Sequence, residues 1–92
     1  MKVRKEKYTV AEGVYSQTIG DETVLLDMNG EEYFGLNHVG TIIWKLLQES
    51  RDLQYIHNEL LETFDSDSET IAADLMELVA LLLEKNLITV ED

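Results

Sequence analysis

"LLDMNGEEYFGLNHVGTIIWKLL", residues 25–47, carries a strand into a helix by way of a hairpin. It begins as an apolar strand, turns at Asn29-Gly30, returns through Tyr33 and Phe34, and enters a helix at Asn37. Asn-Gly between two apolar runs is a strong hairpin signal, because both central positions of a type I′ turn need positive φ. A two-residue loop pairs Leu26 with Tyr33 and sets Asp27 opposite Glu32. Like charges directly opposed are unfavourable, so a looser loop with shifted pairing stays open. With it stays open which of Tyr33 and Phe34 faces the core. Asn37 is a good N-cap. Val39, Ile42, Ile43, Leu46 and Leu47 then recur at helical spacing over 38–49, with Trp44 at the edge of the stripe.

Upstream, residues 8–19 are rich in β-branched and aromatic types, and a strand is predicted near 13–19. Gly20-Asp21 signals a turn, and 22–28 form the second strand. Val24, Leu26 and Met28 share one face of it; Leu25 and Asp27 share the other. The third strand covers 32–36. Downstream, Asp52 caps a helix over 53–64 that turns Leu53, Ile56, Leu60 and Phe64 inward. "DSDS" at 65–68 supplies the cap of a third helix over 68–85, with Glu69 at the positive end of its dipole and Asn86 as C-cap. "LITVED" closes the chain as a short extension. The fold class is therefore α+β: a winged helix-turn-helix-like domain, a three-stranded antiparallel sheet followed by three helices. The third helix has two apolar stripes, Ile71/Leu75/Leu78/Leu82 and Ala72/Met76/Val79/Leu83, widened by Leu81. A helix this broadly apolar is either the centre of the bundle or the wall of a groove.

Composition narrows the function classes. Ninety-two residues make one domain with a modest core. Cysteine is absent, so disulfides and thiolate metal sites are excluded. No apolar run approaches the roughly 20 residues of a membrane span, and the first residues lack the apolar centre of a signal peptide. A soluble, cytoplasmic protein is expected. The net charge is −12, yet Lys2, Arg4, Lys5 and Lys7 all fall in the first seven positions. Residues 1–7 read as a flexible basic arm and 8–92 as the folded domain. From Arg51 onward, only Arg51 and Lys85 stand against eleven acids. Such a surface repels phosphate backbones, so no nucleic acid is expected as partner; it favours a basic peptide. No phosphate loop, nucleophile elbow or paired-histidine motif occurs. His38 and His57 stand nineteen residues apart, and Ser16, Ser50, Ser66 and Ser68 have no base nearby in sequence. No catalysis, metal or cofactor is expected from this chain.

The order "VLLDM", "YFGLN", "GTIIW", an Ile56/Leu60/Phe64 helix and "ADLMELVALLLEKNLI" resembles the PqqD-like family of precursor-peptide recognition domains over residues 13–90. Its form is similar to the stand-alone recognition proteins of lasso-peptide biosynthesis. The resemblance implies a sheet of three strands on three helices that binds the leader of a ribosomally made precursor peptide. The leader is expected to add as a strand to the third strand and to lie in a cleft against the third helix. The implied partners are that leader, a leader peptidase of the same pathway, and a cyclase that closes the ring. In related pathways such a domain serves as peptide chaperone to a radical enzyme. Carried over by position, the peptide-binding residues are Tyr33, Phe34, Gly35 and Leu36 on the strand and Asp74, Leu75, Leu78, Val79 and Leu82 on the helix. A winged-helix regulator is the rival reading. Its recognition helix would be the third, where Asp74, Glu77 and Glu84 oppose only Lys85, a poor match to phosphates and base edges.

Overall fold

The structure, a computed structural model, describes residues 6–91. In chain order it runs β1 (Tyr8–Val10), β2 (Val14–Ile19), β3 (Glu22–Asp27), β4 (Glu32–Leu36), α1 (His38–Gln48), α2 (Leu53–Thr63), α3 (Ser68–Glu84) and β5 (Ile88–Val90). β2, β3 and β4 form the antiparallel three-stranded sheet, in that order. β1 and β5 form a second, two-stranded antiparallel sheet.

That second sheet is additional to the three strands expected from the sequence. The apolar run at 8–19 holds two strands, and Tyr8 in the first of them is buried and pairs with Val90 at the far end of the chain. No local pattern announces a pairing between the two ends. The same region ties down part of the basic arm. The Glu6 carbonyl accepts from the Leu53 amide at 3.2 Å and that of Lys7 from Glu91 at 2.9 Å. Residues 1–5 of the arm lie outside the described residues.

The β3–β4 register is the one a two-residue loop would give, Leu26 opposite Tyr33 and Asp27 opposite Glu32. The loop itself, however, is four residues long. Neither Asn29 nor Gly30 takes positive φ; Glu31 does, at 55°. Asn29 is recruited elsewhere. Its amide nitrogen Nδ2 donates to the Glu12 carbonyl at 2.9 Å, and its N–H donates to Asp27 Oδ1 at 3.0 Å. The Asp27 carboxylate opposite Glu32 therefore has a donor of its own. Gly13, at φ 83°, sits under this bridge. A Cβ there would come within 2.7 Å of Asn29 Nδ2, so only glycine fits.

One bond fixes which amides face which way. The Met28 N–H donates to the Gly13 carbonyl at 2.9 Å, on the β2 side. In an antiparallel strand alternate residues bond to opposite neighbours. Glu22, Val24 and Leu26 therefore bond to β2, and Thr23, Leu25 and Asp27 to β4. Across the ladder, Phe34 and Leu36 bond inward to β3. Tyr33 and Gly35 turn their main-chain groups to the open edge.

The inner face of the sheet carries Thr23 and Leu25, with Phe34 and Leu36 opposite them. Val24, Leu26 and Met28 share the other face, and that face is turned away from the helices, Val24 and Met28 being exposed. The single leucine outranks the three apolar residues because it lies over the helices. Trp44 also differs from expectation: it is not at the edge of α1 but 2% exposed, in the centre of the core. The first two helices start on the side chains the sequence pointed to, and the third on one residue of the "DSDS" stretch, Asp67. Asn37 accepts from Gly40 N at 2.9 Å, Asp52 from Tyr55 N at 2.8 Å and Asp67 from Thr70 N at 2.7 Å. α3 stops at a left-handed Asn86 (φ 60°), with Asn86 N bonding to Leu83 O and Leu87 N to Leu82 O. These two bonds are a Schellman cap. His57 is buried. Its Nε2 lies 3.1 Å from the Ser68 carbonyl, which fastens α2 to the first residue of α3.

Candidate functional site

Where β4 runs into α1, the chain leaves a groove against α3. One wall is Gly35, Leu36, Asn37, Val39, Gly40 and Ile43; the other is Asp74, Glu77, Leu78 and Leu81. Its volume is about 430 Å³. A smaller apolar cavity of about 70 Å³, lined by Leu60, Phe64, Ser66 and Ile71, continues from it and shares Val39 and Asp74.

Local sequence builds both walls. Gly40 lets the first turn of α1 close onto the end of β4, since a Cβ there would meet Leu36 Cβ at 3.1 Å. On α3, residues 74, 77, 78 and 81 follow the i, i+3, i+4, i+7 spacing of one helix face. The adjoining face, Ile71, Ala72, Leu75, Val79 and Leu82, is packed into the core. The two apolar stripes read from the sequence thus divide differently than expected: most of both faces the core, and the groove takes Leu78 and Leu81.

Of the residues carried over by position, the groove brings together Gly35, Leu36, Asp74 and Leu78. Tyr33 stands on the outer face of the sheet, 74% exposed, at the same open edge. Phe34 is half-buried against the core. Leu75, Val79 and Leu82 are at most 1% exposed, so their side chains hold α3 in place and do not reach the groove. The sequence reading missed Asn37, Val39, Gly40, Ile43, Glu77 and Leu81. The last two were findable, being one and two turns along the helix from Asp74.

The groove is apolar at its floor and negative at one rim. Asp74 and Glu77 are exposed, and among the described residues neither has an ion-pair partner. No group of three His, Asp or Glu side chains suited to a metal ion occurs among the described residues. No helix there is long and apolar enough to cross a membrane.

An antiparallel sheet with an open edge, set beside a groove walled by the third of three helices, defines an α+β domain of the winged-helix type. The chain belongs to the family of coenzyme PQQ synthesis protein D (PqqD), which matches residues 22–88. Two solved structures share its fold at a TM-score of 0.82. One, described as "TbiB1 in Complex with the TbiA(beta) Leader Peptide", is 34% identical and is matched over 87% of this chain and 93% of its own. The other, "Lasso peptide synthetase B1 complexed with the leader peptide", is 19% identical over 90% of this chain and 98% of its own, a likeness of fold. Comparison with curated proteins finds no match.

Proposed function

We propose that this chain is a non-catalytic adaptor that binds the leader of a ribosomally synthesised precursor, of the lasso-peptide kind, and presents it to a leader peptidase. The observation that carries this reading is the pairing of two features. The main-chain groups of Tyr33 and Gly35 face an open edge, and the groove between β4, α1 and α3 begins at that edge. Strand addition draws affinity from main-chain bonds and specificity from neighbouring pockets. An extended peptide laid along β4 meets both. Leu36, Leu78 and Leu81 supply apolar contact, and Asp74 and Glu77 suit lysine or arginine in the ligand. The structure 34% identical to this chain is described with a leader peptide bound, which supports the same reading.

Titration of the purified chain with the leader segment of the neighbouring precursor tests it, together with a cleavage assay with and without the partner peptidase. Saturable binding and cleavage only when the peptidase is added are expected. Absence of leader binding, or cleavage by the chain alone that a point substitution in it abolishes, overturns the reading.

A further inference from the structure

Every second residue of a strand laid along β4 turns away from the groove, onto the outer face of the sheet. That face carries an apolar row. Tyr15 on β2 pairs with Leu26 on β3, and Leu26 with Tyr33 on β4, so the row crosses all three strands. Val24 and Met28 lie diagonally to Tyr33 on either side of Leu26, and both are exposed. A sheet that packs one face on a core commonly presents polar side chains on the other. Here the outward positions 24, 26 and 28 are all apolar, in a strongly acidic chain. Tyr33 stays largely exposed even among them.

Position and charge together identify what covers the end of this row. β4 has two outward positions, Tyr33 and Gly35. Gly35 brings no side chain, so Tyr33 is the contact that an added strand meets on the outer face of β4. The carboxylates of Asp27 and Glu32 belong to the inner set of positions, opposite one another. The acid on the outer face of β3, Glu22, stands at its far end, opposite Ile19. A Lys or Arg beside Tyr33 therefore finds no carboxylate in its row. An aromatic or large aliphatic side chain finds the Tyr33 ring with Leu26 behind it. A second copy would set a chain of net charge −12 against its like. A strand on β4 needs no such approach and continues the row directly.

We propose that the leader is read on both of its faces: the leader residue paired with Tyr33 is aromatic or large and aliphatic, and it packs on the Tyr33 ring outside the groove. The proposal rests on leader binding at β4. Leader residues next to it in sequence turn inward to the groove. Two such neighbours fix the register, because a slip of one residue exchanges their faces.

Three full-length variants test it: Tyr33→Thr, Tyr33→Phe and the groove variant Leu78→Ala. Each is titrated with the leader segment of the neighbouring precursor and with single-alanine versions of it, and circular dichroism checks the fold. Tyr33→Thr keeps a strand-forming residue and every backbone bond. It is expected to bind leader about fivefold more weakly, the scale of one aromatic contact. Tyr33→Phe keeps the ring and is expected to bind as the unsubstituted chain does. One aromatic or large aliphatic leader residue should lose its alanine effect in Tyr33→Thr. Leader residues that lose theirs in Leu78→Ala should stand an odd number of positions from it. Leader affinity unchanged in Tyr33→Thr overturns the proposal. So does an equal loss in Tyr33→Phe, since the hydroxyl would then be the contact. A coupled residue that is Lys or Arg, or that stands an even number of positions from those coupled to Leu78, overturns it as well. A doubled solution mass of the free chain that Tyr33→Thr abolishes gives the face to a second copy, with the same result. If the unsubstituted chain binds no leader, the underlying reading fails first and the proposal with it.

Discussion

Phe34 lies directly across the ladder from Leu25, which is fully buried. The pairing turns the Phe34 side chain onto the helices and its amide onto β3. One residue earlier, Tyr33 pairs with Leu26 on the outer face and turns its amide to the open edge. Adjacent aromatics therefore do different work, Phe34 for the fold and Tyr33 for the surface.

Truncation should separate the two. A fully buried phenylalanine cut to alanine costs about 3–5 kcal/mol. Phe34 is only half-buried, so Phe34→Ala is expected to cost about 2 kcal/mol. Tyr33→Ala is expected to stay within about 0.5 kcal/mol, as exposed positions do. Urea denaturation of both variants checks this. Equal losses would mean that Tyr33 packs in solution as Phe34 does here.

Much of this was legible in the sequence, for a local reason. Caps at Asn37, Asp52 and Asp67, the stop at Asn86 and the stripes of α1 and α2 are signals written within a few residues of what they specify. The sequence leaves the β3–β4 register open between a two-residue loop and a shifted pairing; the fold takes the register of the first although its loop is four residues long. What escaped the sequence depends on distant partners. β1 pairs with β5 from the other end of the chain. Asn29 leaves the expected turn geometry to bond Glu12. The side of the sheet that meets the helices is decided by the helices, which is why Val24, Leu26 and Met28 face outward together. The groove was half legible. Alternation and helical spacing located β4 and α3, but buried Leu75, Val79 and Leu82 could not be told from exposed Leu81 without the packing of α2 and β5 against α3.

The acidic rim of the groove should show itself in salt. Exposed ion pairs are worth about 0.2–1 kcal/mol each, and the screening length falls to about 3 Å at 1 M salt. For a leader with basic residues, the double variant Asp74→Asn/Glu77→Gln is expected to bind several-fold more weakly and to lose most of its salt dependence. Apolar contacts at Leu78 and Leu81 and the main-chain bonds remain. Titration at low and high salt measures both quantities. A salt slope that stays as steep in the double variant would place the attracting charges elsewhere.

Acid should act on the start of α3. Two bonds from Thr70, one from its backbone N–H and one from its side chain, hold the Asp67 carboxyl below its ordinary value of 3.8. A carboxylate whose pKa is lower folded than unfolded adds stability that is complete above the unfolded value. That stability is lost as pH falls through the folded one. Asp67→Asn keeps a side-chain oxygen to cap Thr70 N but does not titrate. From neutral pH down to about pH 2, the melting temperature of the unsubstituted chain is expected to fall further than that of Asp67→Asn. Parallel curves in thermal melts would show that the Asp67 cap contributes nothing titratable.

Gly35 offers the sharpest test of the docking edge. Its amide faces outward, and a Cβ built on it meets nothing within 4 Å. Gly35→Ala therefore keeps the edge N–H and adds a methyl group to open space; it is expected to fold and to bind leader as the unsubstituted chain does. Gly35→Pro adds its ring to the same space but deletes the N–H, a change edge strands tolerate. Its fold should survive, with leader affinity down by on the order of tenfold, the scale of one main-chain bond. Phe34→Pro completes the set. It removes an amide that bonds β3, so the sheet itself should be destabilised, by about 1–3 kcal/mol for the ladder bond left unmade. Circular dichroism with leader titration on the three variants decides. If Gly35→Pro binds as tightly as Gly35→Ala while both are folded, the peptide does not take a main-chain bond from this edge, and the groove alone must hold it.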